Sequence, residues 1–398
     1  MSLNRAVSTS ILLTISLGAA MAQTATLRIV SAANAFLATL DQKQRQSVLF
    51  AFDDEQQRKR WSNFPISIVP RAGISFKEMN AAQGSAAMAL VSSALSPRGL
   101  EKVQQIMQGD EVLKTTEGNG PGGRGRGGPP PGRGPGGPPP GRGPGGPPTG
   151  RGPGGPPTGD GDGRRGPRGG NGPPPGNGGG LLFGKDLYFI SILGTPSEKN
   201  PWMLQFGGHH LALNITIDGE RGILTPTLTG AQPALYTLDG KTVRPLGQES
   251  DKGLALLNAL DENQRKQAIL SYRLADLVLG PGEDGKTIQP EGLKASSMNE
   301  KQRAMLIDVI AEWAGIVHES AAAARMAQLK AEINETWFAW SGPTTVTSGS
   351  NIAAYYRIQG PHLVIEYAPQ QMGGDPSLHV HTMYRDPTND YGRKPAAK

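Results

Sequence analysis

His379-Val380-His381 is the sharpest chemical signal in the chain. Two residues apart on an extended strand, side chains leave the same face with Cα atoms about 6.6 Å apart. That spacing lets two imidazoles reach one metal ion at about 2.1 Å each. The next residues bring Tyr384, Arg385, Asp386, Asn389 and Asp390, which offer further ligands, partners for the histidines and a clamp for an anionic substrate group. A second pair, His209-His210, follows Gly207-Gly208, glycines that allow a close backbone approach or a sharp entry turn into a buried strand. Neighbouring strand residues point to opposite faces, so one of this pair is expected in the core and the other at a site. His210 is the better ligand, because its parity in the apolar alternation matches that of His362 and the polar Asn214. The expected site is therefore centred on His379 and His381. Arg385, Asp386 and Asp390 serve as catalytic partners, and His209, His210 and Tyr384 as ligand contacts. His379, His381 and His210 would hold one divalent metal ion of unspecified identity.

Other motifs carry less. Gly280-Pro-Gly-Glu-Asp-Gly-Lys286-Thr287 matches a phosphate-binding loop letter for letter. A helical pattern precedes it where a buried strand is needed, and Pro290 follows where a helix should start, so it is read as an ordinary loop. His318 sits in a helical stretch and is read as a satisfied helix residue. Gly159-Asp-Gly-Asp-Gly163 has too few ligands for calcium on its own. The tryptophans at 61, 202, 337 and 340 are read as core or interface packing. No cysteine is present, which excludes disulfides and thiolate metal sites.

The elements that must position these residues show as two related stretches. Phe206-Gly-Gly-His-His-Leu runs into Ala-Leu-Asn-Ile-Thr-Ile217, and Ile358-Gln-Gly-Pro-His-Leu runs into Val-Ile-Glu-Tyr367. Both alternate as half-buried strands do. Four helix starts also repeat one signature: Asp41-x-x-Gln44, Asn80-x-x-Gln83, Asp261-x-x-Gln264 and Asn299-x-x-Gln302. Each is a capping box, worth about 1 kcal/mol. Helix starts 41 and 261 lie 220 residues apart, while His210 and His362 lie 152 apart. The difference of 68 is close to the length of the segment from 118 to 180, which therefore reads as an insertion into the first of two copies. Because the first copy has no counterpart of His379-x-His381, the site should be lopsided, with His209 or His210 leaning in.

The inserted segment is built from Gly, Pro and Arg, lacks the period of collagen, and is expected to be disordered. It holds eight arginines and two aspartates, so its net +6 equals the formal charge of the whole chain. The rest is near neutral, which argues against specific nucleic-acid binding and leaves the insert as a solubilising spacer, with a contact for anionic cell-envelope surfaces as the alternative. Residues 1–22 read as a signal peptide, with Ala20-Met-Ala22 before the cut. No later run approaches the roughly 18 apolar residues of a spanning helix. The mature protein is expected to be exported, either periplasmic or extracellular.

Phe206-Gly-Gly-His-His-Leu, Gly222-Ile-Leu-Thr-Pro226 and His379-Val-His-Thr-Met-Tyr-Arg-Asp-Pro-Thr-Asn-Asp-Tyr-Gly392 together resemble a largely bacterial, often exported family known as domain of unknown function 3500. The resemblance runs from about Ala32 to Gly392 apart from the insert. It implies a single old module and brings no established activity or cofactor.

The expected fold is α+β: two pseudo-repeats, each a helical hairpin followed by mainly antiparallel strands, with the long disordered insert in the first. The parts are the leader 1–22, helical 23–117, insert 118–180, strands 181–250, helical 251–335, strands 336–392 and tail 393–398. The expected function is a histidine-centred, metal-dependent, hydrolase-like site acting on an unidentified small-molecule or polymer substrate. The alternative is a non-catalytic, envelope-associated binding module with structural histidines.

Overall fold

A computed structural model describes residues 24–117, 181–371 and 374–394. The expected leader and the whole Gly/Pro/Arg insert, with its Gly159–Gly163 motif, lie outside the described residues.

The chain starts with α1 (Ala25–Thr39) and α2 (Gln42–Val48), the short β1 (Leu49–Phe50), α3 (Glu55–Arg58) and β2 (Ile74–Ser75). Helices α4 (Ala81–Ala94) and α5 (Pro97–Glu117) complete this part. Four strands follow: β3 (Phe189–Leu193), β4 (Trp202–Gly208), β5 (Leu211–Asp218) and β6 (Arg221–Ala231). A small hairpin of β7 (Tyr236–Leu238) and β8 (Lys241–Val243) leads to α6 (Gly247–Ala259) and α7 (Glu262–Ala268). Then come β9 (Leu293–Lys294), α8 (Glu300–Ala314) and α9 (Glu319–Ala331). The last strands are β10 (Trp337–Ser341), β11 (Tyr355–Gly360), β12 (Leu363–Pro369) and β13 (Val380–Arg385).

All four capping boxes form. At Asp41, Asn80, Asp261 and Asn299 the side chain accepts from the N–H three residues on, while that residue's glutamine returns to the cap N–H. The glutamines do a second job. Gln83 Nε2 donates to Gln44 Oε1 at 2.7 Å and Gln302 Nε2 to Gln264 Oε1 at 2.8 Å, so each cap ties two helices together.

The strands join into one sheet ordered β1-β3-β4-β5-β6-β13-β12-β11-β10-β9, with β2 also on β3. Among the described strands only β1 and β3 pair in parallel, with one further parallel bridge between Ile269 and Trp340. The central seam pairs β6 with β13, setting Gly230 opposite His381 and Thr227 opposite Tyr384. On one face, Leu211, Leu213, Ile215 and Ile217 of β5 pack on Ile29, Phe36 and Leu90 of the first helices. Farther along that face, Ile358, Ile365 and Tyr367 meet Leu256, Leu306 and Trp313. The other face carries Met203, Leu228 and Met383 beneath Trp61 and Tyr391, which come from loops. Alternation along β13 places His381, Met383 and Arg385 on this loop-covered face. The tryptophans at 61, 202 and 340 pack in the cores, while Trp337 is half-buried beside Lys294.

Two expectations about the strands are corrected. Phe206–Ile217 and Ile358–Tyr367 are hairpins, not single strands. Their two-residue turns are His209-His210, with Gly208 paired to Leu211, and Pro361-His362, with Gly360 paired to Leu363. The Gly280–Thr287 segment forms turns rather than a strand and helix, as the rejection of a phosphate loop requires.

Candidate metal centre

The turn between β4 and β5 delivers His210. Its backbone sits at φ +59°, a left-handed conformation that costs a non-glycine residue of order 1–3 kcal/mol and tends to persist where function holds it. The turn is anchored by Gly230 N–H donating to His210 O at 2.7 Å. Gly230 is also why the ring fits. A Cβ there would lie 3.0 Å from His210 Cδ2 and 3.2 Å from His381 Cδ2. His381 projects from β13 across from this glycine, and His379 stands just before the same strand.

The three rings converge through one atom each. His210 Nε2 is 3.0 Å from His379 Nε2 and 3.1 Å from His381 Nε2, and the latter two are 3.1 Å apart. Protons alone cannot satisfy this triangle. Each nitrogen either carries a hydrogen or presents a lone pair, so at least two of the three are alike and repel. A cation bound to three lone pairs removes the conflict, and donor separations of 3.0–3.1 Å suit three bonds of about 2.1 Å. All three residues are at least nine-tenths buried. Burial, reinforced by His209 and the other two rings, pushes His210 well below the usual histidine range. Burial also lowers His381, against the opposing pull of Asp276. Both rings are therefore neutral near pH 7, the form that binds metal.

Behind His381, the Asn63 side-chain amide lies 3.2 Å from Nδ1 and Asp276 Oδ1 lies 3.9 Å away. Asp276 is held in turn by Gln370 Nε2 at 2.9 Å. Asp276 is the acceptor on this side and favours a proton on Nδ1 with Nε2 free to ligate, whereas Asn63 Nδ2 is a donor and as placed favours the reverse tautomer. His210 is backed differently: its ring lies against that of His209, with centroids 3.6 Å apart and planes tilted by 34°. His209 Nδ1 is 2.8 Å from Asp110 Oδ1, and Tyr188 OH donates to Asp110 Oδ2 at 2.8 Å. Asp110, His209 and His210 lie close enough to suggest a second ion site. His209 Nδ1 is already bonded to Asp110, however, and His210 turns its Nε2 to His379 and His381, so this set is described as a brace for His210.

The structure brings together His210, His379 and His381 and leaves the other expected site residues elsewhere. His209 faces the helices through Asp110. Arg385, four residues and about 13 Å along β13 from His381, is wholly buried. It pairs with Asp390 at 2.5 Å and Asp284 at 3.0 Å, and donates to Leu279 O at 3.1 Å. It locks the Gly280 loop to the sheet and has no free face for a substrate anion. Asp390 also accepts from Thr225 Oγ1 at 2.9 Å. Asp386 accepts from Thr388 and lies 3.3 Å from Arg325, and Tyr384 OH accepts from Arg325 on the helical face. These four residues surround the opposite end of the seam because the strand runs straight through the protein. His362 pairs with Glu332 at 2.9 Å. His318 caps α9, its Nδ1 accepting from Ala321 N–H.

Asp110, Tyr188, Gly230, Asn63, Asp276 and Gln370 were not foreseen in these positions. For Asp110 a signal existed: Val103, Ile106, Asp110 and Leu113 share the buried stripe of α5, so a carboxylate interrupts an apolar face.

These features define an α+β protein with a buried three-histidine cluster on the loop-covered face of a single large sheet. The chain belongs to the family described as Protein of unknown function (DUF3500), whose model matches residues 22–393. No curated protein and no solved structure matches the chain. Among the described residues no helix is long and apolar enough to cross a membrane.

Proposed function

We propose that His210, His379 and His381 hold one divalent transition-metal ion through Nε2, and that the centre hydrolyses a small-molecule or polymer substrate. The observation that carries this reading is the mutually repelling triangle of Nε2 atoms. Three neutral imidazoles suit zinc and neighbouring first-row ions rather than magnesium or calcium. With no carboxylate in the set, a bound ion keeps its double charge and supplies Lewis acidity that lowers the pKa of coordinated water toward about 7. The chain's own part is placement: Gly230 makes room, His209 braces His210, and Asp276 offers the acceptor on the Nδ1 side of His381. Metal analysis of the purified protein, with His379→Ala and His381→Ala, is the test. About one ion per chain, lost in each variant while the fold survives, supports the centre. Failure to take up stoichiometric zinc or cobalt on reconstitution removes it.

The 1% exposure of His210 favours a second reading, a non-catalytic envelope-associated module whose histidines are structural. In that case the same variants lose melting temperature steeply and no hydrolysis is found.

We also read the chain as a duplicated helix-then-sheet unit. Support comes from the order α4, α5, β3–β6 followed by α8, α9, β10–β13, mirrored about the β6–β13 seam. It comes too from a turn histidine bonded to a carboxylate of the last helix before the strands in each part, His209 with Asp110 inside α5 and His362 with Glu332 at the end of α9. Superposition of the two parts tests this, and elements that fail to coincide would refute it. Export rests on the leader-like residues 1–22. Amino-terminal sequencing of protein from producing cells should find Gln23 first, and an intact Met1 would contradict it. The arginine-rich insert is assigned to anionic envelope polymers, and deleting 118–180 should abolish co-sedimentation with such polymers if that is its role.

A further inference from the structure

The motif that opens with two metal-facing histidines has a second half the centre does not use. Tyr384, Asp386, Thr388 and Asn389 line a cleft of about 390 Å³ at the other end of β6 and β13. Leu224, Val317, Ala321 and Ala324 give it an apolar floor. Its polar wall is Arg325 of α9. Nε donates to Tyr384 OH at 3.0 Å, Nη1 to Gln328 Oε1 at 2.7 Å and Nη2 to His362 O at 2.5 Å. Asp386 Oδ2 stands 3.3 Å from Nη1.

Arg325 differs from Arg385 in two ways that matter for binding. The Arg385 side chain is fully enclosed, whereas that of Arg325 keeps 18% exposure on the cleft. The carboxylate facing Arg325 makes one long contact, not the paired short bonds of a fork-on-fork ion pair. A second carboxylate arriving from solvent would find a guanidinium already held rigid by a phenol, an amide and a backbone carbonyl. With Arg325, three cations (Arg221 and Lys394 the others) line the cleft against two carboxylates, Glu220 and Asp386, and because Arg221 is paired with Asp218 at 3.2 Å, the pull on an anion rests on Arg325.

We propose that this cleft binds a small monocarboxylate with an apolar tail, its carboxylate on Arg325 beside Asp386 and its tail on the alanine–leucine floor. The site is separate from the histidine cluster and does not depend on a metal being there.

Calorimetric titration of the full chain with hexanoate and with its neutral analogue hexanamide tests the assignment. Hexanoate should bind at least about tenfold more tightly, because the charge-assisted bond is lost with the amide. Arg325→Gln should erase the preference. Ala324→Trp, which fills the floor from an exposed helix position, should abolish binding of both without lowering the melting temperature. His379→Ala should leave hexanoate binding unchanged. Equal affinity for acid and amide, no heat for either at about 10 mM, retention in Ala324→Trp, or loss in His379→Ala would each overturn the proposal. The last outcome would place the carboxylate on the histidine cluster instead.

Discussion

Replacing Gly230 by alanine probes the centre without touching a ligand. The new methyl carbon would stand 3.0 Å from His210 Cδ2, 3.0 Å from Val380 O and 3.2 Å from His381 Cδ2. Ordinary van der Waals contact begins at about 3.4 Å, so each neighbour must give by a few tenths of an ångström. Val380 O belongs to the paired strand and yields poorly, so the rings move, and they move apart. Overpacking of this kind costs about 1–3 kcal/mol of stability. The diagnostic effect is on metal. An ion present at a hundred times its Kd adds about 2.7 kcal/mol to wild-type stability, and a tenfold loss of affinity cuts this to about 1.4 kcal/mol. At roughly 2–4 °C per kcal/mol, the metal-induced rise in melting temperature shrinks by about 3–5 °C. The assay is a thermal melt of apo and zinc-loaded protein for wild type and Gly230→Ala. An equal metal-induced rise in both would refute the idea that these rings share an ion.

Further outcomes follow from the same geometry. Asp276→Asn should weaken zinc binding by about tenfold while leaving the apo melting temperature within about 0.5 kcal/mol of wild type, because the side chain is exposed; unchanged affinity in a zinc competition titration would remove Asp276 from the site. Burial holds the folded-state pKa of His210 and His381 below the unfolded value of about 6.5. Their contribution to apo stability is therefore present above about pH 6.5 and lost as pH falls toward the folded values. Denaturant melts from pH 7.5 to 5 should show that decline in wild type and a flatter profile in His210→Ala. Asp390→Asn leaves buried Arg385 short of a counter-charge and should cost about 3–5 kcal/mol, with zinc affinity per folded molecule unchanged; a large loss of affinity in folded protein would restore Arg385 and Asp390 to the site.

Much of the scaffold was legible because it is written locally. The four Asp/Asn-x-x-Gln signatures need only three residues of context, and all four close as boxes. His379 and His381 followed from strand alternation alone. The turn was expected at Gly207-Gly208 and falls instead on His209-His210, for a physical reason. A tight hairpin usually announces itself with glycine or asparagine at the left-handed position, and here a histidine at φ +59° occupies it. An apolar run on either side then reads as one strand. Asn63, Asp276 and Gln370 lay beyond reach because they come from irregular segments with no period to extrapolate. Arg385 misled through its neighbours in sequence. Beside two histidines and two aspartates it suggests a substrate clamp, yet four strand residues carry it about 13 Å away to fasten a loop.

The seam between β6 and β13 has one further consequence. His210 belongs to the strands before the small hairpin and His379 and His381 to those after it, so neither portion of the polypeptide owns a complete coordination set. An ion captured there would act as a rivet across the junction, and its release would register parting of the sheet's two halves along that seam before either half melts.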